Sequence, residues 1–149
     1  MMIIRTMTPG DYDKVYELWT GIKGFALRSF DDSREGVDRF LRRNPETSVI
    51  AEEDGRIIGT ILSGHDGRQA SFYHVCVASD YRGRGVGHKM VSEAVLRLKK
   101  EGINKVSLIA FCSNEVGNKF WQDLGFTLRE DVNSYDYILN IENKFMVNP

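Results

Sequence analysis

A glycine-rich bend, YRGRGVG at residues 81–87, constrains this chain more than any other stretch of it. It follows an apolar segment, residues 71–77, that predicts a strand, and it precedes a segment with helical periodicity. Because Gly83, Gly85 and Gly87 carry no Cβ, the backbone can adopt positive φ and turn consecutive N–H groups to one side. At the positive end of a helix dipole, such groups bind an anion. The bend therefore predicts an anion site.

Two arginines and the residues after the bend decide between kinds of anion site. Arg82 and Arg84 add charge that can pair with phosphates. A Walker P-loop requires Lys and then Ser or Thr after its last glycine, whereas His88 and Lys89 follow here. A dinucleotide fingerprint has two residues between its second and third glycines and opens a βαβ unit, and this bend does neither. The alternative without a ligand is a glycine-rich turn with solvated arginines.

The hydrophobic pattern around the bend predicts a mixed α/β fold, with helices on both faces of one sheet. One strand and two helices come first, three antiparallel strands lead to the bend, and a helix, a strand, a helix and two strands follow it. The predicted elements are a strand at 3–4, helices through 12–22 and 37–41, strands at 49–51, 57–62 and 71–77, a helix at 88–100, a strand at 105–111, a helix at 114–124, and strands at 127–130 and 135–141.

Length and composition fit one cytoplasmic domain, residues 1–149, which no linker divides. With 20 Lys plus Arg against 21 Asp plus Glu, the chain has no overall field to attract nucleic acid or an acidic membrane. No segment approaches the ~18 consecutive apolar residues of a membrane span, and the N-terminus has no apolar run that suits a signal peptide. Cys76 and Cys112 lie in apolar surroundings without paired spacing, which favours reduced core thiols.

Two stretches of the sequence carry a resemblance to a known family. VASDYRGRGVG at 77–87 resembles the strand-to-helix signature of the GNAT superfamily of N-acetyltransferases. That signature has Gln or Arg, two residues, Gly, one residue, and then Gly or Ala, and Arg82, Gly85 and Gly87 fit it. NEVGNKFWQDLGF at 114–126 is similar to the family's second signature, an Asn followed by an aromatic pair and Leu-Gly-Phe. The two signatures stand in the family's order.

The resemblance, which covers roughly residues 47–130, implies a GNAT-like fold and acetyl-CoA as co-substrate, with no metal. The implied sheet is central and mostly antiparallel, has about seven strands, splays at the CoA site, and is flanked by about four helices. In this family the backbone of the strand before the bend pairs with the pantetheine arm, and the bend binds the pyrophosphate. The matching positions are Val75, Cys76 and Val77 for the arm, Arg82, Gly83, Arg84, Gly85, Val86, Gly87 and His88 for the pyrophosphate, and Asn114, Asn118 and Trp121 on the second signature.

Direct acetyl transfer requires a neutral amine, a polarised thioester carbonyl and a proton for the departing thiolate. By resemblance, the backbone N–H of Val75 or Val77 polarises the carbonyl. In many relatives the second aromatic of the signature is a tyrosine that protonates the thiolate, but here it is Trp121, whose indole is no proton source near neutral pH. We therefore expect Trp121 to pack against the CoA arm, or in the core, with water as the acid. Asn114 has a helix N-cap as its alternative role.

The candidate general base lies on the strand before the bend. In several relatives the base stands at positions matching Ser71 or Tyr73; Ser71 cannot serve, and Tyr73 would act through a water. His74 is attractive as a near-neutral base. Strict strand alternation, however, places it on the face of Phe72 and Cys76, away from Tyr73, which favours a packed or surface histidine. Base-free catalysis, in which tight positioning selects the neutral fraction of the amine, is the alternative.

The predicted function is an acetyl-CoA-dependent N-acetyltransferase that acts on a primary amine by direct attack in a ternary complex. The amine belongs to a small molecule or to a protein N-terminus, and residues 23–30 and 133–137 are its candidate walls by resemblance. The alternative is a non-catalytic acyl-CoA-binding sensor, which the tryptophan at position 121 motivates. No nucleic-acid or membrane partner is expected, and a homodimer is a further possibility.

Overall fold

Seven strands and four α-helices make up the computed structural model, which describes all 149 residues. Two short 3-10 turns, Pro9–Asp11 and Ser79–Tyr81, precede α1 and the glycine bend. In chain order the elements are β1 (Met2–Thr6), α1 (Tyr12–Thr20), β2 (Ala26–Arg28), α2 (Arg34–Arg43), β3 (Val49–Glu53), β4 (Arg56–His65), β5 (Ala70–Val77), α3 (Val86–Lys100), β6 (Val106–Ser107), α4 (Glu115–Asp123) and β7 (Phe145–Val147).

The central sheet has the order β1-β3-β4-β5-β6, and a separate two-stranded sheet joins β2 to β7. The first three pairs of the central sheet are antiparallel, and β5 pairs with β6 in parallel. The mixed α/β class, the mostly antiparallel sheet and the four flanking helices are thus confirmed. The expected seven-stranded central sheet is corrected to five strands, because β2 and β7 pair only with each other.

Apolar residues pack on both faces of the central sheet. On one face, Ile58 and Val49 join Met90 of α3 in a buried cluster. On the other, Ile50 joins Trp19 of α1 in a second cluster, which also includes residues of α2. Since successive strand residues point to opposite faces, the two clusters together bury the strands from both sides.

Local sequence signals set the helix and turn boundaries. Asp54 and Gly55 adopt φ of 51° and 78°, as the predicted tight hairpin between β3 and β4 requires. Ser33 caps α2 by accepting a hydrogen bond from Gly36 N at 3.1 Å. Gly85, with φ 80°, stands directly before α3. None of the helices is long and apolar enough to cross a membrane.

A β-bulge interrupts β5 at His74. The pairing register advances by two residues along β4, from Thr60 to Leu62, but by three residues along β5, from Cys76 to Tyr73. The extra residue bends the strand and increases its twist. His74 itself has φ 49°, in the left-handed region that His, Asn and Asp adopt more often than other residues with a Cβ.

The bulge changes which face each side chain of β5 occupies. Phe72 belongs to the cluster beneath α3, whereas Cys76 belongs to the cluster beneath α1. The His74 ring packs 4.6 Å from the Trp19 ring and 5.0 Å from the Phe25 ring, on the α1 side. The prediction that His74 shares a face with Phe72 is therefore wrong, because strict alternation does not continue through a bulge.

The Thr60 hydroxyl holds the bulge in place. It accepts a hydrogen bond from Trp19 Nε1 at 3.0 Å and donates one to the His74 carbonyl oxygen at 2.7 Å. It also lies 3.3 Å from Cys76 Sγ. Thr60 is completely buried, so water cannot take the place of its hydroxyl as the hydrogen-bond partner of these groups. One side chain thus joins α1, β4 and the irregular segment of β5.

Beyond the bulge, β5 separates from β6. The two strands pair only at Ala70 with Val106 and at Ser71 with Ser107. The predicted strand 105–111 is accordingly shortened to two residues, because β5 bends away and leaves no partner for residues 108–111. From Phe72 to Val77, one edge of β5 is free. This separation is the predicted splay of the sheet.

The C-terminal segment departs from the sequence prediction. No strand forms at 127–130 or at 135–141, and the last strand is β7, which pairs with β2. Tyr135 and Tyr137, whose alternation predicted a strand, are each 88% exposed. No strand forms there because no neighbouring strand edge is available to pair with these residues. Of the two predicted acceptor walls, 23–30 contains β2, whereas 133–137 lies on the surface.

The two cysteines differ in environment. Both are free thiols, and Cys76 is buried as expected. Cys112 is exposed, in the loop before α4, so its predicted place in the core is wrong. Its apolar neighbours Ile109 and Phe111 are themselves exposed, because β6 ends before them.

We expect Thr60→Val to lower the free energy of unfolding by at least about 2 kcal/mol, since it leaves a buried indole N–H and a backbone carbonyl without partners. Urea denaturation measures the change. Thr20→Val is the matched control, because the exposed Thr20 hydroxyl contacts only carbonyls of its own helix, and it should change stability by less than about 0.5 kcal/mol. Equal effects of the two substitutions would contradict the role given to Thr60.

Candidate functional site

Six consecutive backbone N–H groups, from Gly83 to His88, have no hydrogen-bond acceptor within the protein. The first amide of this stretch with an intramolecular partner is that of Lys89, which donates to the Gly85 carbonyl at 3.1 Å. Before the stretch, the amide of Arg82 donates to the Ser79 carbonyl at 3.5 Å. These six donors lie at the N-terminus of the 15-residue helix α3, where the helix dipole is positive. We call residues 83–88 the cradle.

Two glycines shape the cradle, and a third serves packing. Gly83 and Gly85 have φ of 76° and 80°, and a Cβ built on either meets nothing within 4 Å. The left-handed backbone at both positions therefore faces open space. Gly87 differs, because a Cβ there would lie 3.0 Å from the Phe120 ring. Its lack of a side chain lets the start of α3 approach α4.

Positive charge surrounds the cradle. Arg82 and Arg84 are exposed, and the first turn of α3 has no acidic residue. The Arg82 Nε donates to the Val77 carbonyl at 3.3 Å, and the Arg84 guanidinium lies 4.8 Å from the centre of the Tyr81 ring. Six unpartnered donors and two guanidinium groups suit an anion with several oxygens, such as a pyrophosphate.

The free edge of β5 leads directly to the cradle. Ala78 N donates to the Ile58 carbonyl of β4 at 2.7 Å. Because backbone groups of a strand point alternately to its two sides, the N–H groups of Val77 and Val75 point away from β4, toward the free edge. Cys76 pairs with Thr60 of β4. Of the three residues predicted to pair with the pantetheine arm, the two valines thus present donors to the edge.

The second signature, residues 114–126, spans the whole of α4 and both of its caps. Asn114 Oδ1 accepts a hydrogen bond from Gly117 N at 2.9 Å, so the alternative role of Asn114 as a helix cap is present. Asn118 Nδ2 donates to the carbonyl oxygens of Phe111 and Asn114, at 2.9 and 2.8 Å. Both side chains therefore shape the loop before α4, and contact of either with a ligand stays a prediction.

Trp121 packs in an aromatic cluster. Its ring lies 5.0 Å from the Phe120 ring, 4.9 Å from Phe126 and 6.3 Å from Phe72 of β5. The side chain is half-buried, and its indole N–H has no partner in the protein. This environment fits the alternative of a packed core tryptophan and supplies no hydroxyl acid, and contact of Trp121 with the CoA arm stays a prediction.

The Cys76 thiol lies close to the free edge but is unsuited to nucleophilic attack. Burial raises the pKa of Cys76 to about 11, and hydrogen bonds with Thr60 oppose that shift only in part. A thiol with this pKa is almost entirely protonated at neutral pH, whereas the thiolate is the nucleophile.

On the α1 side of β5, two titratable side chains stand next to each other. The Tyr73 ring is half-exposed and meets Phe40 edge-on at 5.9 Å, and its hydroxyl has no partner in the protein. His74 Nε2 lies 2.7 Å from Asp32 Oδ1. Asp32 was not predicted as a site residue, because it stands 42 positions from His74 in the sequence and the two meet only in the folded chain.

Comparisons with known proteins identify the family of the chain. The acetyltransferase (GNAT) family model matches residues 12–126. An acetyltransferase of Sodalis glossinidius (strain morsitans) is 28% identical over 131 residues, which are 88% of this chain and 91% of the relative.

Solved structures share the fold. The PaiA N-acetyltransferase of Thermoplasma acidophilum, in complex with coenzyme A, superposes with a TM-score of 0.75 at 20% identity, over 90% of this chain and 94% of that one. AAC(6')-Iy, in complex with the bisubstrate analogue CoA-S-monomethyl-acetylneamine, gives a TM-score of 0.69 at 21% identity, over 93% and 99% of the two chains. Together with the match of the family model over most of the sequence, these likenesses show that the chain belongs to the acetyltransferase (GNAT) family.

Proposed function

We propose that this chain is an acetyl-CoA-dependent N-acetyltransferase that moves the acetyl group to a primary amine by direct attack in a ternary complex. The observation that carries the proposal is the row of six unpartnered N–H groups in the cradle, continuous with the free edge of β5. A pyrophosphate and an amide-containing arm require those two features side by side. Coenzyme A bound to a structural relative supports the same ligand here.

Each part of the site binds a different part of acetyl-CoA. The cradle amides and the side chains of Arg82 and Arg84 bind the pyrophosphate. Val75 and Val77 present backbone donors that add the pantetheine arm to β5 as an extra strand. Asn114, at the N-cap of α4, and Asn118 and Trp121, within α4, contact the pantetheine arm. Acetyl-CoA supplies the activated thioester.

The bulge prepares a donor for the reacting carbonyl. Val75 follows the bulged residue His74 and has its N–H on the free edge. A fixed N–H directed at a carbonyl oxygen stabilises the negative charge that develops there during attack. Removal of one such donor typically costs about 2.7–4 kcal/mol of transition-state stabilisation. No side-chain cation is required at this point.

Direct attack is favoured over a covalent acetyl-enzyme. Cys76 is the nucleophilic side chain nearest to Val75 and Val77, and its pKa of about 11 leaves about one thiol in ten thousand ionised at pH 7. The bisubstrate analogue bound to AAC(6')-Iy joins a CoA moiety and an aminoglycoside in a single ligand, which fits a ternary complex in this fold. With Trp121 at the acid position, water protonates the departing thiolate.

The deciding experiment for the function follows the release of free thiol from acetyl-CoA with a panel of amines. A suitable panel contains sisomicin, spermidine and short peptides with a free N-terminus, which covers the small-molecule and the peptide acceptors. We expect thiol release to depend on at least one amine, with one acetyl amide formed per thiol. Tight binding of CoA without transfer to any member would favour the sensor function, and absence of CoA binding would overturn both.

We expect Gly85→Trp to weaken CoA binding by at least about 100-fold, because the side chain enters the space of the phosphates and removes charge-assisted hydrogen bonds. Isothermal titration calorimetry measures the Kd. Gly102→Trp is the matched control: Gly102 also has φ 80° and open space for a Cβ, but it lies at the other end of α3. Both substitutions should cost about 1–2 kcal/mol in backbone strain. Equal CoA affinity in the two variants would contradict the cradle.

A further inference from the structure

His74 and Asp32 form a well-ordered pair on the α1 side of the bulge. His74 Nε2 lies 2.7 Å from Asp32 Oδ1, and the two side chains are only 18% and 8% exposed. The other carboxylate oxygen of Asp32 accepts a hydrogen bond from Arg28 N at 2.7 Å. Tyr12 donates its hydroxyl to the Asp32 carbonyl at 2.6 Å. The carboxylate is therefore fixed before it meets the imidazole.

The hydrogen bond to Asp32 determines which ring nitrogen of His74 can accept a proton. In the neutral ring, Nε2–H donates to the carboxylate, so Nδ1 carries the lone pair. His74 Nδ1 makes no hydrogen bond within the protein, and this nitrogen is not fully buried. The lone pair of Nδ1 is therefore accessible to a proton donor from outside the protein.

A second histidine–carboxylate pair in the chain differs from this one in the hydrogen bonding of Nδ1. His65 Nε2 lies 2.7 Å from Glu101 Oε1, the same separation as in the His74 pair. However, His65 Nδ1 accepts a hydrogen bond from Gly67 N at 2.9 Å, so both of its nitrogens are engaged within the protein. Two engaged nitrogens suit a structural histidine. One engaged nitrogen and one free nitrogen suit a base held in a fixed orientation.

The His74 ring lies beside one of the expected acceptor walls. His74 directly precedes Val75, whose N–H we assign to the thioester carbonyl. Its ring packs 5.0 Å from Phe25, a residue of the segment 23–30 that the sequence predicted as an acceptor wall. Trp19 closes the inner side of the ring at 4.6 Å. The imidazole thus contacts the expected acceptor wall and belongs to the residue next to the one assigned to the reacting carbonyl.

We propose that His74 is the general base of the acetyl transfer and that Asp32 is its positioning residue; the inference rests on the proposed function. Nδ1 takes one proton from the acceptor ammonium. The amine nitrogen then forms a bond to the acetyl carbon, the carbon–sulfur bond breaks, and water protonates the thiolate. The second amine proton and the proton on His74 pass to solvent, so the products are the amide, CoA thiol and one net proton.

The charges around the imidazole suit this role. Asp32 is the charged group in direct contact with it and stabilises the imidazolium that forms. Burial, with a smaller contribution from Tyr16, raises the pKa of Tyr12 to about 12, so that phenol beside Asp32 stays neutral. Cys76, which shares Thr60 with the bulge, is neutral as well. The charged neighbours Arg34 and Glu35 lie around Tyr12 rather than at the imidazole.

The test uses His74→Asn, because asparagine also adopts positive φ readily and should keep the bulge while removing the base. The readout is kcat/KM against pH for the panel amine that wild type acetylates best. We expect a loss of about 10²–10⁴-fold at neutral pH. The loss should shrink as the pH rises, because solvent then supplies the neutral amine. Asp32→Asn should also lower kcat/KM, because it no longer selects the tautomer with a free Nδ1, and the Kd of CoA should stay within about twofold of wild type in both variants.

His65→Asn is the matched control and should leave the pH profile unchanged. A His74→Asn profile that follows wild type would overturn the inference. Where circular dichroism shows that His74→Asn does not fold, Asp32→Asn decides, and an unchanged profile for it overturns the inference equally. A wild-type chain that binds CoA but acetylates no panel amine would instead overturn the proposed function.

Discussion

The buried hydroxyl of Thr60 is the interaction on which the functional half of this structure depends. It binds the Trp19 indole on one side and the His74 carbonyl on the other, so that α1 fixes the extra residue of β5. Three consequences follow from that extra residue. The strand bends away from β6, the edge to which the amide of Val75 points is left free, and the His74 ring lies on the α1 face. A regular strand would provide none of them.

Backbone groups, rather than side chains, make up most of the proposed binding surface. The cradle offers amides of residues 83–88, and the edge of β5 offers those of Val75 and Val77. Such a surface requires glycine where φ is positive and a free strand edge, but it places few demands on side-chain identity. This division explains how Trp121 can stand at a position where relatives have a tyrosine, since its aromatic packing is independent of the cradle.

Features encoded by neighbouring residues were predictable from the sequence. The turn at Asp54, the start of α3 after Gly85, and the cap of α4 at Asn114 all depend on side chains or glycines within a few positions. The two family signatures are local in the same sense. They placed the cradle and the start of α4 before any pairing of strands was known.

Features that depend on distant partners were not predictable. Residues 135–141 alternate like a strand, yet strand formation depends on a neighbouring edge, and β2 pairs with Phe145–Val147 instead. The face of His74 depends on a register change against β4, which no periodicity within β5 reveals. Asp32 reaches His74 only through the path of the chain between β2 and α2. The bulge that creates the site thus also reversed the predicted orientation of the candidate base.

The continuity of the free edge of β5 with the cradle is most directly tested by titration of ¹⁵N-labelled protein with CoA, with backbone amide shifts as the readout. A single surface that holds both the pyrophosphate and the pantetheine arm predicts the largest shifts at residues 83–88 together with Val75 and Val77, all saturating with one Kd. Shifts confined to the cradle, with Val75 and Val77 unchanged, would contradict it.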